Sequence, residues 1–370
     1  MNNASLLAVT VMTAAIIPPI HANDIATING TTLSVGGYVK VEGTVNRPDR
    51  DAAFEAENSF IGQARQSRFF IKTEREVEGH RVKTFLESDF FGNAYEASST
   101  SSYLRMRHAY LQVDNVTLGQ TWSGQFFATA PFDVEMINFW GQGMGTLVGN
   151  GATVRPQLLA HYTINGLRLS LQDPVYQQAS YPDMVVSYSV RFKDGSAFNL
   201  AATGRDVQND KTVDGATDDH SNFGAGVSIA GKLALNTRLS LHASGYRGKG
   251  MGAYSGIGVG GAYNPNTIAT LEVENETLVA QTGFSAGIRL RLSDNLRTNL
   301  RYGNVSVDDA ADTEIAMTNV NLIYTYFTGF ELGIEWRKQT LDTLNGPEGS
   351  SFPNIRPKGK QVEMMALYRF

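Results

Sequence analysis

Leu278-Val-Ala-Gln-Thr-Gly-Phe-Ser-Ala-Gly-Ile-Arg-Leu-Arg-Leu292 decides the fold. Leu278, Ala280, Thr282, Phe284, Ala286, Ile288, Leu290 and Leu292 fall on one side of an extended chain, and Arg289 and Arg291 on the other. A period of two is the pleat of a β-strand. The pattern recurs where Phe330, Leu332, Ile334 and Trp336 alternate with Glu331, Glu335 and Arg337. A soluble sandwich or propeller would not set charges opposite apolar rows in strand after strand. A barrel with lipid outside and water inside does. The final residues agree: Val362, Met364, Ala366, Tyr368 and Phe370 are apolar at every second position up to a terminal aromatic, as outer-membrane proteins commonly end.

Outward from that stretch, the alternation runs back to Ser34. Val35, Gly37, Val39 and Val41 oppose Tyr38, Lys40 and Glu42; Phe69, Ile71 and Thr73 oppose Arg68, Phe70, Lys72 and Glu74. Val82, Thr84 and Leu86 oppose Lys83, Phe85, Glu87 and Asp89, and Leu104, Met106, His108 and Tyr110 oppose Arg105 and Arg107. Breaks between these segments alternate in length. Short ones fall at Glu78–His80, Asp114-Asn115, Asn165-Gly166, Lys193–Ser196, Gly231–Thr237, Ser293–Asn295 and Thr328-Gly329. Several hold the Asn-Gly or Asp-Gly pairs that tight hairpins need. Long ones fall at Asn46–Ser67, Asn93–Ser102, Ser123–Ala152, Asp173–Pro182, Asp206–His220, Gly248–Asn275, Ser306–Thr313 and Thr340–Lys360. Seven short and eight long connections join sixteen strands. The expectation is an all-β, transmembrane, antiparallel up-and-down barrel with periplasmic turns and longer external loops.

The longest polar insertion, Ser123–Ala152, is the third external loop. It holds Phe126, Phe127, Phe132, Asp133, Glu135, Phe139 and Trp140, then a run of glycines. A loop of this length is rarely idle. We expect it to fold into the lumen and narrow the pore.

Composition fits. Hydrophobic residues make up 42% of the 370 residues, and no later stretch approaches the ~20 apolar residues of a membrane helix. Cysteine is absent, and the net charge of −5 is spread without a basic block, which argues against nucleic acid as a partner. Residues 1–22 read as a cleaved signal peptide: Leu6–Ile17 is the apolar core, Pro18-Pro19 breaks it, and Ala22 precedes the cut. Its first residues carry no Lys or Arg. Asn23–Leu33 is then a short lead-in, and residues 34–370 are the barrel.

A channel does no covalent chemistry, so its function is pore shape and field. Parity places Arg68, Lys72, Arg105, Arg107, Arg155, Arg168, Arg289, Arg291, Arg297 and Arg301 in the lumen, with Glu74, Glu87, Asp89, Glu331 and Glu335. An excess of guanidinium favours anions and suits carboxylates bidentately. Arg68, Arg105, Arg107, Arg155, Arg289 and Arg301 are the expected anion-binding and constriction residues, with Asp133 and Glu135 as acids on the loop. The other reading of each arginine is a cross-strand pair with a glutamate that stiffens the wall. Asp133 and Glu135 alternatively bond backbone amides and hold the loop folded. Neither cofactor nor metal is implied. No paired histidines point to an enzyme, with His108 on the outward register and His161 on the inward one, and the single Gly-x-Ser-x-Gly match, Gly283–Gly287, lies within the strand alternation and not at a turn. Tyr162, Tyr188, Phe192, Tyr302, Tyr324, Tyr326, Phe327 and Tyr368 near strand ends suit interfacial girdles. The acid-rich loop Asp206–Asp219 lacks the ordered spacing of a calcium loop and reads as a solvated external loop, with bridging of lipopolysaccharide through divalent ions as a further role.

Five short motifs then carry a resemblance. Gly37-Tyr-Val-Lys40, Phe85-Leu-Glu-Ser-Asp-Phe-Phe-Gly92, Leu104-Arg-Met-Arg-His-Ala-Tyr110, Gly119-Gln-Thr-Trp-Ser123 and Arg155-Pro-Gln157 occur in this order between Gly37 and Tyr162. This half of the chain resembles the DcaP-like outer-membrane porins; beyond it the likeness is architectural. The resemblance implies a sixteen-stranded homotrimer in the bacterial outer membrane that passes small anionic solutes, dicarboxylates among them. Some relatives carry a coiled coil before the barrel. Asn23–Leu33 shows no heptads, which leaves trimerisation to the barrel walls. Within transport, a sugar-preferring or general porin is the alternative, although Tyr38, Phe70 and Phe85 look few and scattered. Outside transport, the alternative is an adhesin or anchor.

Overall fold

The computed structural model describes residues 23–49, 58–92, 102–124, 133–137, 156, 158–174, 179–208, 211–213, 216–218, 221–254, 272–274, 277–310, 312, 314–342 and 359–370. Residues 1–22, the candidate signal peptide, lie outside them, as does most of the long insertion. The strands are β1 (Asn23–Ile28), β2 (Thr31–Pro48), β3 (Ser59–Gln63), β4 (Arg68–Val77), β5 (His80–Asp89), β6 (Arg105–Val113), β7 (Val116–Gln120), β8 (Leu159–Ile164) and β9 (Leu167–Gln172). They continue with β10 (Asp183–Arg191), β11 (Ala197–Gln208), β12 (Lys211–Val213), β13 (Ala216–Asp218), β14 (Ser221–Ala234) and β15 (Leu239–Lys249). The last are β16 (Val273–Glu274), β17 (Thr277–Leu278), β18 (Ala280–Arg291), β19 (Leu296–Asp308), β20 (Glu314–Phe327), β21 (Phe330–Asp342) and β22 (Gly359–Arg369).

Eighteen of these strands form one antiparallel sheet. It closes where β2 pairs with β22, from Tyr38↔Arg369 to Pro48↔Gly359. Closure leaves no edge to template another chain. Strands β3 and β4 pair with successive halves of β2, so they share one wall position. β1 folds back on β2 beyond the end of β22. Eighteen less these two leaves a sixteen-stranded wall. The seven short connections join β4–β5, β6–β7, β8–β9, β10–β11, β14–β15, β18–β19 and β20–β21. At Asn165 and Gly166 the backbone takes φ of 47° and 85°, the paired positive values of a two-residue hairpin.

Parity separates two surfaces. Along β21, Ile334 and Trp336 are 47% and 37% exposed, while Glu335 and Arg337 are 0% and 1%. The apolar row therefore faces outward and the charges face the lumen, inverting the arrangement of a soluble protein. All eight aromatics read as girdle residues lie on the exposed outer surface.

The alternation fails at one informative place. Between β5 and β6 the register slips, with Glu87 facing His108 and Ser88 facing Met106. Arg107 is thus an extra residue, and a bulge turns two neighbours to the same side. Arg107 and His108 are both buried toward the lumen. The outward placement of His108 and Tyr110 expected from strict parity is corrected: both face inward. There His108 packs edge-on against Trp122, with ring centroids 5.1 Å apart.

Candidate functional site

Described residues of the third loop, Asp133–Ile137, cross the lumen to the wall made by β18–β22 and β2. Asp133 accepts a hydrogen bond from Arg301 Nε at 2.7 Å, and Glu135 takes two from Arg297 at 2.7 and 2.6 Å. Arg289 Nη2 lies 3.5 Å from Glu135. Backbone tethers complete the strap: Ile137 N–H donates to Glu335 Oε2 at 2.9 Å, and Lys40 Nζ donates to the Ile137 carbonyl. Ile137 joins Ile323, Met365 and Leu367 in an apolar cluster with Tyr38 beside it. Two glycines make the room. A Cβ at Gly287 would stand 2.7 Å from Val134, and one at Gly333 would stand 2.7 Å from Ile137. Neither distance is compatible with the strap in place.

Three polar clusters line the wall from β18 round through β2 to β6. In the first, Glu87 accepts from Arg107 at 2.7 Å, while Asp89 accepts from Arg107 at 2.8 Å and from Arg105 at 2.9 and 2.6 Å. Arg68 approaches Glu87 at 3.4 Å. Three arginines on two carboxylates leave 3 − 2 = +1. The second comprises Arg289, Arg297, Arg301 and Arg369 against Asp133, Glu135 and Glu331, or 4 − 3 = +1. The third places Lys40 and Arg337 beside Glu42, Glu335 and Glu363, or 2 − 3 = −1. Charge in these clusters is largely neutralised at contact distance.

The adjoining strands β10 to β14 differ. Arg191 at the end of β10 pairs in register with Ala197, and Ala197 with Lys232 on β14. Two strand spacings put the backbones of Arg191 and Lys232 about 10 Å apart at the short-turn end. Neither has an acidic partner among the described residues. One strand further, Ser240 on β15 faces Arg289. On β9, Arg168 donates to Thr163 Oγ1 at 3.1 Å and to no other side chain among the described residues.

A second inward fold was not signalled by the sequence. Tyr254, within the short 3₁₀ turn Gly252–Tyr254, and Glu272 are completely buried. Tyr254 donates to Asp183 at 2.5 Å, and Arg205 is ion-paired with Glu272 and 3.6 Å from Asp183. Replacing Arg205 with Leu removes the cation that Asp183 and Glu272 share among the described residues. We expect it to cost about 3–5 kcal/mol, read as an earlier urea midpoint in gels that separate folded from unfolded barrel.

The expected site residues are therefore distributed as follows. Asp133, Glu135, Arg289 and Arg301 come together at the strap, joined by Arg297. Among the described residues, Arg68, Arg105 and Arg107 pair with Glu87 and Asp89. Arg155 lies outside the described residues. Arg191 and Lys232, absent from the expected set, were legible only by parity. The lumenal aromatics are not scattered: Phe70 stacks on Phe85 at 5.2 Å, and Phe85 meets Tyr110 at 5.5 Å.

No protein-family model and no curated sequence matches the chain. Solved structures do. The outer membrane channel DcaP of Acinetobacter baumannii superposes with a TM-score of 0.73 over 92% of this chain and 98% of its own, at 20% identity. OmpT, an outer membrane protein of Vibrio cholerae, gives 0.61 over 94% and 100%, at 12% identity. An anion-selective porin from Comamonas acidovorans gives 0.60 over 92% and 100%, at 13% identity. The chain has the fold of outer-membrane porins, and the DcaP-like resemblance read over Gly37–Tyr162 extends to the architecture of the whole barrel.

Proposed function

We propose that this barrel is a water-filled outer-membrane channel for passive diffusion, biased toward small anions such as dicarboxylates. In this reading the strap Asp133–Ile137 narrows the lumen, and unpaired cations on the adjoining strands set the field. The observation that carries the bias is the pair Arg191 and Lys232, lumenal and without an acidic partner among the described residues. Unneutralised cations at a narrow mouth raise local anion concentration and repel cations. Lumenal Arg68, Arg105 and Arg107 supply further positive potential in the same reading, and Arg155, outside the described residues, is proposed to add to it. The similar fold of a Comamonas porin described as anion-selective supports it, and a trimer form of Vibrio OmpT supports assembly as a homotrimer. Export would follow cleavage of residues 1–22, and the outer face would meet lipid and lipopolysaccharide.

Planar-bilayer reversal potentials under a potassium chloride gradient test this directly. The expected sign is that of chloride permeating faster than potassium, with the preference weakening as salt screens the wall. A potassium-selective channel would overturn the anion bias. Absence of conductance would overturn transport altogether.

A further inference from the structure

We propose that the lumenal dent around Arg168 binds a sugar acid, a single carboxylate carried on a polyhydroxylated ring or chain. The proposal rests on the channel reading and names a substrate class for it. Tyr110, Gln112, Asn115, Thr117, Trp122 and Arg168 line the dent, which lies at the short-turn end between β6 and β9.

Each part of the ligand is matched by a group on the wall. Arg168 uses Nε on Thr163, which leaves the two Nη groups to form a bidentate pair with one carboxylate. No carboxylate among the described residues occupies that fork. A second carboxylate on the ligand would find no second guanidinium in the lining of the dent; the nearby cation Lys83 lies over the Tyr110 ring, 5.9 Å from its centroid. Gln112, Asn115 and Thr117 each both donate and accept, which suits hydroxyls better than charges. Tyr110 and Trp122 offer flat faces to the C–H surface of a sugar. The aromatic face is also held before any ligand arrives. His108 packs against the Trp122 ring, and His161 Nε2 lies 3.0 Å from the Trp122 carbonyl while its Nδ1 lies 2.7 Å from Ser170 Oγ. Preorganisation of this kind removes an ordering cost from binding. The bulge at Arg107 is what makes the site, because without it Tyr110 would face lipid.

Calorimetric titration of the folded, detergent-solubilised protein with D-glucuronate, D-glucose and succinate tests the assignment. Glucuronate is expected to bind more tightly than either of the others, since glucose lacks the carboxylate and succinate lacks the hydroxylated body. Arg168→Gln is expected to weaken glucuronate binding by roughly 10- to 100-fold, the size of a lost charge-assisted hydrogen-bond pair. Arg168→Lys keeps the charge without the fork and is expected to fall between. Trp122→Ala should weaken glucuronate and leave the weak succinate binding in place. Undiminished glucuronate binding in folded Arg168→Gln, equal or tighter binding of succinate to the wild type, or no glucuronate binding at all would each overturn the site. The wild-type reversal potential is a separate measurement. A potassium-selective pore that still binds glucuronate refutes the anion bias and keeps the site; a chloride-selective pore that ignores glucuronate does the reverse.

Discussion

Asp133→Asn combined with Glu135→Gln is expected to raise both single-channel conductance and the preference for anions. The two carboxylates are the side-chain anchors of the strap, and each sits on arginine at 2.6–2.7 Å. Charge-assisted bonds of this kind contribute about 1.5–3 kcal/mol each, and a neutral amide accepts them far less strongly. Among the described residues, the polar tethers that then remain are backbone ones, Ile137 to Glu335, Lys40 to Ile137 and the Glu135 carbonyl to Asn321, beside the apolar packing of Ile137. The strap should spend more time away from the wall, and Arg289, Arg297 and Arg301 should face the water. Width and field change together here, so a second variant separates them. Gly333→Leu fills the space used by Ile137 without altering charge. It is expected to change conductance with little effect on the permeability ratio. If the double variant conducts like the wild type with unchanged selectivity, the strap neither narrows the pore nor masks its arginines.

Arg191→Gln combined with Lys232→Gln is expected to abolish most of the anion preference at low salt. For an ion passing about 8 Å from each charge in water, each interaction is worth about 0.5 kcal/mol. That is a little over twofold in local concentration, so two charges give roughly fivefold for anions and the inverse for cations. The ratio of the two then falls by roughly 25-fold in the unscreened limit and by much less near 1 M salt, where the screening length is about 3 Å. Both side chains lie on the lumenal register at the short-turn end of their strands, where loss of a charge leaves no acid uncompensated. Barrel stability should therefore hold, and a folded variant with wild-type selectivity would move the origin of the field elsewhere. The Arg68–Arg105–Arg107 cluster would be next, because it retains one positive charge in excess.

Much of this molecule was legible before any contact was known, and the limit of legibility is physical. Alternation with period two is local. Each strand reports its own inward and outward faces, as Ile334 and Glu335 do, and Asn165-Gly166 reports its own turn. Sixteen strands, closure and the identity of lumenal arginines follow from such local signals added along the chain. A bulge is invisible to this reading, because Arg107 inserts without any change of residue type, and it reversed His108 and Tyr110. Ion pairing was also beyond reach. Parity put Arg105 and Arg107 in the lumen, but it could not tell that Glu87 and Asp89 on the adjacent strand would take them.

The sequence by itself determined the barrel, its sidedness in lipid and water, and the loop long enough to enter it. Only the tertiary structure decided where that loop lands. Asp133 and Glu135 meet arginines more than 150 residues further along the chain, with Gly287 and Gly333 clearing the way. It likewise decided which cations stay unpaired: Arg301 meets Asp133, whereas Arg191 and Lys232 have no acid within reach among the described residues. Strand register is written in neighbours along the chain. Contacts across a lumen depend on the curvature and closure of the whole wall, and no local pattern carries them.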